Sequence, residues 1–471
     1  MGHGSISSAP RVRSREGRGT WEVLDGEGSG RSGEDATGVP VLGLLPRLLA
    51  DPAGLTAEMM RATDDVVPMR IGPATIYFVH HPDHLRHLLL DNYQSYSKGP
   101  FFARSDIMVG NGLVVVHGEP WRRQRRMMQP PFAPQRLAAI VPAVAAVAAE
   151  RIAAWRTARG PLEMWAEMSG FTMRALLKTM FGADIDDARI ARFDRAFDVL
   201  GRHVAVRGPT FFLPEWFPLP GRSAALAAAG ELRRIIDDIV AERRRAGAGD
   251  DLLGLMLAAR DESGEGMSEE QIRDEIKTAV FAGYDSTATG LAWTWYLLAT
   301  HPESTERARA EVLRVMPEGL PTAEQIGRLE YLGRVFQEAL RLYPPFSFTP
   351  RMALQDDVIG SQRIPAGATL IFSNYAVNRS PAFWEHPDSF YPDHFLPEQV
   401  ARRHRFAYQP FGAGPRVCIG AGMATLEAKI MLALALRDYD IVRPASTPVM
   451  KARFGTSRAQ GGVWIELRAR A

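Results

Sequence analysis

A long, unusually apolar helix is the feature that most constrains the fold of this chain. Ser268, Glu269, Glu270 and Gln271 have the spacing of a capping box, which marks the first turn of a helix. Apolar or small residues then recur at helical spacing to about Thr300, so the pattern favours a single helix of about thirty residues. Because a helix this long and this apolar must cross the protein interior, it predicts a large and mainly helical domain.

Shorter patterns around this helix complete the expected architecture. Two apolar segments flank Gly72 and Pro73, which predicts a β-hairpin, and a second helix is expected to end before Pro344. We therefore expect a mainly α fold with a minor β part, in a single domain that covers residues 39–471. Residues 1–38 are rich in Gly, Ser, Arg and Glu and show no period, and this composition predicts a disordered N-terminal tail.

Composition excludes several classes of protein. Charged residues make up 23% of the 471 residues and the net charge is +2, so no charge excess indicates nucleic-acid binding. One cysteine cannot form an intramolecular disulfide, which is typical of a reducing compartment. The longest apolar run, 137–149, contains Pro142 and falls short of the roughly 20 residues of a membrane span. We expect a soluble, monomeric protein of the cytoplasm without a membrane span.

The single cysteine, Cys418, lies in the segment FGAGPRVCIG, directly before an apolar helix. A nucleophilic thiolate needs a nearby base and a structural zinc site needs further thiolates or histidines, and the segment offers neither. One thiolate is sufficient as the axial ligand of haem iron, because the porphyrin supplies four more ligands. Gly412, Gly414 and Gly420 would let the backbone approach such a macrocycle. A small buried cysteine without any chemistry is the alternative.

This segment resembles the haem-binding signature of the cytochrome P450 superfamily. The five fixed positions of that signature correspond to Phe411, Gly414, Arg416, Cys418 and Gly420. The resemblance implies the cytochrome P450 fold, with haem b held between the long helix and the helix that follows the cysteine. It also implies that the thiolate of Cys418 is the protein's ligand to the iron.

A basic segment, WRRQR, matches a second part of the family pattern. Trp121 and Arg125 are four residues apart and therefore share one face of a helix. By resemblance, both bind a haem propionate, and Arg351 and Arg416 bind the propionates as well. Arginine suits this role because its guanidinium pairs with a carboxylate through two hydrogen bonds.

The long helix carries the segment AGYDST, which resembles the oxygen-binding part of the family. By resemblance, Gly283 leaves room for oxygen, and Asp285 and the following hydroxyl relay protons. That hydroxyl belongs to Ser286, where the family usually has threonine, and Thr287 is the competing candidate. A serine or threonine that only bonds the carbonyl four residues earlier in its own helix is the structural alternative.

The segment EALR corresponds to the Glu-x-x-Arg motif of the family. Glu338 and Arg341 are three residues apart and can form an ion pair on one helical face. In the family this pair is structural and joins an arginine further along the chain. The corresponding position here is His394, which can donate a hydrogen bond but lacks the forked guanidinium.

Together these matches predict a haem-thiolate monooxygenase that inserts one oxygen atom from O2 into a C–H bond. The aromatic and apolar segments near the expected pocket favour a lipophilic substrate such as a terpenoid or a fatty acid. A haem-thiolate peroxygenase and a non-enzymatic haem sensor or binding protein are the alternatives, and the Asp285–Ser286 pair argues against both.

Electrons are expected to come from a separate ferredoxin or flavodoxin with its reductase, because no flavin or iron–sulfur segment follows the haem-binding region. Arg122, Arg123 and Arg126 are expected to face outward from the basic helix. With Lys429 they would form a basic patch that suits an acidic partner protein.

Overall fold

The computed structural model describes residues 43–470, except for 51–54, 56–57, 60–64, 73, 183–185, 209, 211–212, 215, 248, 250 and 445–456. The predicted disordered tail, residues 1–38, lies outside the described residues. The α-helices are α1 Leu45–Ala50, α2 Pro82–Arg86, α3 Gly99–Ala103, α4 Asp106–Val109, α5 Gly118–Met128, α6 Pro134–Trp155, α7 Met164–Phe181, α8 Asp187–Arg207, α9 Arg222–Ala246, α10 Leu252–Ala258, α11 Glu269–Thr300, α12 Pro302–Val315, α13 Ala323–Arg328, α14 Glu330–Leu342, α15 Asn374–Val377, α16 Pro397–Arg402 and α17 Ala421–Asp438.

The β-strands form three small sheets in the described part of the chain. The strands are β1 Val66–Ile71, β2 Ala74–Val79, β3 Tyr96–Ser97, β4 Leu162–Glu163, β5 Phe348–Ala353, β6 Asp357–Ile359, β7 Gln362–Ile364, β8 Thr369–Ser373, β9 Tyr439–Val442 and β10 Trp464–Ala469. The five-stranded sheet has the order β1-β2-β8-β5-β3, and the others are β4-β10-β9 and β6-β7. The predicted hairpin is present as β1 and β2, which pair antiparallel. The prediction of a mainly α fold with a minor β part is confirmed.

The predicted long helix is present as α11, which has 32 residues. The side chain of Ser268 accepts a hydrogen bond from the backbone N–H of Gln271 over 3.1 Å and so caps the first turn. The helix crosses the interior as expected, since Ile276, Val280 and Leu291 are fully buried. Its N-terminal half packs in a core with α5, α7, α8 and α9, and its C-terminal half packs in a second core with α6, α12, α14 and α17.

Helix α6 differs from the sequence expectation, because it continues through Pro142 as one helix of 22 residues. By length and composition it could cross a membrane, and no other helix in the described ranges passes that test. One face of α6 nevertheless lies in the core, where Val141, Val144 and Ala145 are fully buried. A membrane span is therefore not supported, since an apolar helix with a buried face is also what a protein core requires.

Candidate active site

The segment around Cys418 is a tight loop closed by its own backbone. The N–H of Cys418 donates a hydrogen bond to the carbonyl oxygen of Phe411 over 2.8 Å. Gly414 has a φ of +67°, and a side chain there would collide with the carbonyl oxygen of Leu89. This position therefore requires glycine for both its conformation and its close packing. The loop leads directly into α17, so Cys418 lies at the N-terminus of a helix.

The thiol of Cys418 is accessible to solvent but is closely surrounded by protein atoms. The residue is accessible to solvent, yet burial by the neighbouring protein raises the pKa of its thiol. Hydrogen bonds from the backbone N–H groups of Gly420 and Ala421 oppose that shift, as do the charges of Arg125 and Lys98. Backbone N–H donors and nearby cations therefore favour the thiolate form against the effect of burial.

Three cations, Lys98, Arg351 and Arg416, converge near Cys418. Arg351 is 6% exposed, and burial followed by the charge of Arg416 lowers its pKa to about 9. Burial lowers the pKa of Arg416 to about 10. The pKa of Lys98 lies well below its ordinary value because of burial and, next, the charges of Arg351 and Arg416. No carboxylate among the described residues forms an ion pair with any of the three.

Buried like charges are unfavourable unless an anion joins them. The two propionate groups of haem supply two carboxylates. The residues present therefore fit this cofactor, since Cys418 offers a ligand for the iron and the three cations offer partners for the propionates. Sequence reasoning predicted Arg351 and Arg416 at this position but missed Lys98. Antiparallel pairing of Ser97 with Met352 brings Lys98 beside Arg351, and no local pattern in the sequence marks this contact.

Helix α5 holds the other predicted propionate residues against the cysteine loop. Trp121 is 7% exposed, and the guanidinium of Arg416 lies over its ring at 4.4 Å. Arg125 donates a hydrogen bond from Nη1 to the carbonyl oxygen of Val417 over 2.8 Å. Burial lowers the pKa of Arg125, and the charge of Cys418 opposes this shift. The structure thus brings Trp121, Arg125 and Arg416 together beside the thiol.

The AGYDST segment lies in the middle of α11. Ser286 is partly exposed, and its Oγ donates a hydrogen bond to the carbonyl oxygen of Ala282 over 2.6 Å. Thr287 is only 4% exposed. A side chain at Gly283 would project towards Leu176 of α7, so this glycine also permits the close approach of α7 to α11. Ser286 is therefore the more accessible of the two candidate hydroxyl groups, although it bonds its own helix here.

Asp285, also in the middle of α11, forms a small charged cluster with Arg458 and Asp194. Burial lowers the pKa of Arg458, and the charge of Asp285 opposes that shift most among its neighbours. Burial raises the pKa of Asp194 on α8, and repulsion by the charge of Asp285 raises it further by a smaller amount. The cluster connects α11 to α8 and to the segment before β10. Sequence analysis identified Asp285 but neither of these two partners.

Glu338 and Arg341 form a completely buried bidentate ion pair. Nε and Nη2 of Arg341 donate to the two carboxylate oxygens of Glu338 over 2.8 and 2.7 Å. The remaining donors of Arg341 reach the carbonyl oxygens of Asn378, Pro387 and Ser389. Every N–H of this guanidinium is thus satisfied, which a buried charge requires.

Arg123 does not face outward as the sequence suggested. Its Nε donates to Oδ2 of Asp261 over 2.6 Å, and its Nη2 donates to the carbonyl oxygen of Gly266 over 3.0 Å. These partners lie just before α11, so Arg123 ties α5 to the start of the long helix. The pairing depends on a loop more than one hundred residues away, which the local charge pattern could not indicate.

The rest of the predicted basic patch is also largely compensated. Arg122 pairs with Glu119 over 2.9 Å, and Arg126 pairs with Glu262. Both arginines remain about half exposed. Lys429 is only partly exposed, and burial lowers its pKa. The patch therefore has less net positive charge than its sequence implies.

A single cysteine in a glycine-rich loop before a helix, beside cations that form no ion pair with a carboxylate of the described residues, fits a haem-thiolate protein of mainly α fold. The family model "Cytochrome P450" matches residues 34–461. The chain belongs to the cytochrome P450 family and is a haem-dependent monooxygenase.

Similar proteins support this assignment over most of the chain. Cyclooctat-9-en-7-ol 5-monooxygenase of Streptomyces melanosporofaciens is 34% identical over 399 residues, which cover 84% of this chain and 86% of that protein. Pentalenene oxygenase of Streptomyces avermitilis is 30% identical over 436 residues, which cover 92% of this chain and 96% of that protein. The crystal structure of the cytochrome P450DA heme domain matches with a TM-score of 0.83 and 28% identity, covering 92% of this chain and 96% of that one.

Proposed function

We propose that this cytochrome P450 hydroxylates a C–H bond of a cyclic terpenoid, with electrons from separate redox proteins. The observation that carries the substrate class is the similarity to two Streptomyces oxygenases, named for the unsaturated alcohol cyclooctat-9-en-7-ol and for pentalenene. Both alignments cover more than four fifths of each chain. A fatty acid is the other lipophilic substrate that we considered.

We propose Cys418 as the axial ligand of haem, and Lys98, Arg351 and Arg416 as the partners of the propionates. When bound, the haem activates O2 for insertion of one oxygen atom into a C–H bond. The chain supplies the thiolate, the N–H groups that hold it and the cations that fix the acidic edge. Trp121 and Arg125 complete this binding surface from α5, since Trp121 contacts Arg416 and Arg125 bonds the cysteine loop.

Proton delivery is proposed to use Asp285 and Ser286. Ser286 Oγ donates to the carbonyl oxygen of Ala282 here, and rotation about χ1 redirects that donor into the cleft. Asp285 lies near Arg458, and its charge opposes the lowering of that arginine's pKa. A proton taken up at the Asp285 carboxylate can then pass to Oγ of Ser286, its direct neighbour in the chain.

The substrate proposal is tested by binding and turnover on the purified holoenzyme. Cyclic terpenoid hydrocarbons, their monoalcohols and fatty acids of similar size are screened for the spectral shift that accompanies loss of the iron's water ligand. Bound compounds are then incubated with a ferredoxin, its reductase, reduced nicotinamide cofactor and isotopically labelled O2. We expect terpenoids to bind and to gain one labelled oxygen atom. Turnover of fatty acids alone would contradict the substrate class and leave the enzyme class intact.

The same assay separates the two alternative functions. A peroxygenase would form product from hydrogen peroxide at a rate that the reduced ferredoxin does not exceed. A haem sensor or binding protein would bind ligands but form no product under either condition. We expect product formation to depend on the electron-transfer proteins, because Ser286 provides an accessible hydroxyl for proton delivery.

Electrons are proposed to come from an acidic ferredoxin or flavodoxin with its reductase. Arg122 and Arg126 are the exposed cations of α5, and Arg125 of the same helix bonds the residue next to Cys418. A partner that binds here would therefore approach the iron ligand closely. We expect Arg126→Glu to slow reduction and Arg314→Glu, an exposed change on α12, to leave the rate unchanged. Since exposed charges are screened beyond about 8–10 Å at physiological ionic strength, the wild-type rate should also fall with salt. A salt-independent rate that is equal in all three proteins would contradict this docking site.

A further inference from the structure

A group of histidines and aspartates lies at the surface, where the β1–β2 hairpin meets α2. The ligand atoms of Asp65, His81 and His84 all lie within 4.8 Å of one another. Asp65 precedes β1, His81 caps α2, and His84 lies within that helix. None of these residues belongs to the haem site, and both histidines come from the segment HHPDH, residues 80–84.

The backbone fixes the positions of these three residues. The N–H of His80 donates to the carbonyl oxygen of Asp65 over 3.2 Å, which continues the β1–β2 ladder by one pair. This pairing holds Asp65 across from the residue before His81. His81 and His84 are three positions apart at the start of a helix, and their rings lie 5.4 Å apart. The three side chains are therefore gathered by regular structure rather than by a loose loop.

The chemistry of the group is that of a zinc ligand set. Zinc binds imidazole nitrogen at about 2.0–2.1 Å and carboxylate oxygen at about 2.0–2.2 Å, so tetrahedral ligand atoms lie about 3.3–3.5 Å apart. Nε2 of His84 already lies 3.5 Å from Oδ2 of Asp65. The ring nitrogen of His81 has to move about an ångström closer to the other two ligand atoms. A rotation of the His81 side chain provides this movement, and there is room for it because the side chain is 31% exposed.

Two neighbours leave room for an ion and support its ligands. Gly360 faces His84, and a Cβ at this glycine would lie 3.1 Å from Nε2, so the absent side chain leaves space beside the ligand nitrogen. Oδ1 of Asp83 lies 3.0 Å from Nε2 of His404, and its Oδ2 lies 3.7 Å from Nδ1 of His81. The second distance is too long for a hydrogen bond, so Asp83 contributes to the site through its negative charge beside His81 and not as a hydrogen-bonded partner of a ligand.

The hydrogen bond that His81 makes in the structure is weak enough to be replaced. Its Nδ1 accepts from the N–H of Asp83 over 3.3 Å, which is longer than the usual range for such bonds. Exchanging this contact for a metal bond costs the helix little. The partly exposed side chains also leave a fourth position open to water.

We propose that Asp65, His81 and His84 bind one Zn²⁺ ion that clips the β1–β2 hairpin to α2. Helix α2 leads into residues His87–Asp91, and the carbonyl oxygen of Leu89 in that turn packs against Gly414 of the cysteine loop. The zinc ion would therefore stabilise the turn that packs against the cysteine loop. The site lies outside the haem cleft, and its role is structural.

The test uses the full-length, tag-free holoenzyme, in which the iron occupies the thiolate of Cys418 and removes it as a competing ligand. The protein is treated with a chelator, dialysed and titrated with Zn²⁺ against a chromophoric zinc indicator. We expect one zinc ion per chain at micromolar free zinc and a rise in the thermal midpoint of a few degrees. His84→Ala and the isosteric Asp65→Asn should each weaken binding by about tenfold or more.

Matched controls make the result decisive. His117→Ala removes an exposed histidine and Asp198→Asn an exposed aspartate, both away from the group. Both control proteins should bind zinc like the wild type, and all variants should keep the haem content and spectrum. Absence of zinc binding in the wild type, or equal binding in the wild type and Asp65→Asn, would overturn the proposal. Because the readout is zinc stoichiometry, its failure leaves the proposed monooxygenase function untouched.

Discussion

Nδ1 of His394 lies 3.1 Å from Oε1 of Glu338, inside the buried network that Arg341 completes. The other ring nitrogen, Nε2, lies 2.5 Å from the carbonyl oxygen of Glu385. Both partners can only accept hydrogen bonds, and an imidazole donates from both nitrogens only when it is protonated. The imidazole thus links Glu338 to the backbone at Glu385, and the histidine supplies part of what the family's arginine supplies at this position.

This arrangement predicts that His394→Ala destabilises the folded chain. The change removes the contacts of the ring with Glu338 and with the carbonyl oxygen of Glu385, so the buried Glu338 loses one of its hydrogen-bond partners. We expect the free energy of unfolding to fall by about 2–4 kcal/mol, measured by denaturant unfolding of the holoenzyme. His117→Ala, an exposed change, serves as control and should unfold like the wild type. A His394→Ala protein as stable as the control would show that the histidine is dispensable.

The relay assignment predicts different effects for two adjacent hydroxyl groups. Ser286→Ala should increase the peroxide formed per reductant consumed, because it removes the accessible hydroxyl. Thr287→Ala should change this ratio much less, since Thr287 is 4% exposed. Ser286→Thr should keep the ratio or lower it, because a β-branched side chain restricts χ1. Product, peroxide and reductant are measured side by side, and uncoupling confined to the Thr287 variant would move the relay to that residue.

The cluster of unpaired cations predicts that Lys98 contributes to haem binding. Lys98→Met removes one charge-assisted hydrogen bond to a propionate, worth about 2 kcal/mol, or roughly thirtyfold in the haem dissociation constant. The measurement is the rate of haem loss to an excess of a haem-scavenging protein. Lys178→Met, at an exposed position, is the matched control. Equal rates for both variants and the wild type would exclude Lys98 from the site.

Local motifs and periodic patterns predicted part of the fold and of the site, whereas contacts between distant segments were missed. The long helix was predictable because a period marks it locally, and a local motif likewise marks Cys418, whose role as ligand stays a prediction. Lys98 was missed since it reaches Arg351 only through the pairing of β3 with β5. The outward orientation of Arg123 was wrong because its acidic partner, Asp261, lies far away in the sequence. Contacts between distant segments have no period, so neither could be read from local residues.

Glu275 on α11 predicts a specific pH dependence of stability. It is fully buried, and its Oε2 accepts a hydrogen bond from the N–H of Leu113 over 3.1 Å. Burial raises its pKa from 4.5 to about 7, with the nearby Asp274 adding to the shift. Between these two values the folded chain binds more protons than the unfolded chain, so this group makes the free energy of unfolding fall as pH rises.

Glu275→Gln should remove this pH dependence. The full cost of ionising the buried carboxyl is about 3 kcal/mol. At pH about 8 the variant should therefore be more stable than the wild type by about 1–3 kcal/mol. Near pH about 5 the two proteins should have similar stability, because the wild-type carboxyl is then protonated. Thermal or denaturant unfolding at both pH values measures the difference. Glu265→Gln, at an exposed position, should show no such pattern, and a Glu275→Gln protein that is equally less stable at both pH values would contradict the assignment.

Thiolate ligation by Cys418 is the central claim, and the absorption spectrum of the ferrous–CO complex tests it most directly. In the proposed site the thiolate would be an electron-rich ligand, and the N–H groups of Gly420 and Ala421 donate to its sulfur. We predict that the wild-type complex absorbs at the long wavelength peculiar to haem-thiolate proteins. Cys418→His should retain haem, lose that band for one at the shorter wavelength typical of histidine ligation, and lose monooxygenase activity. An unchanged CO spectrum and unchanged activity in Cys418→His would contradict the account.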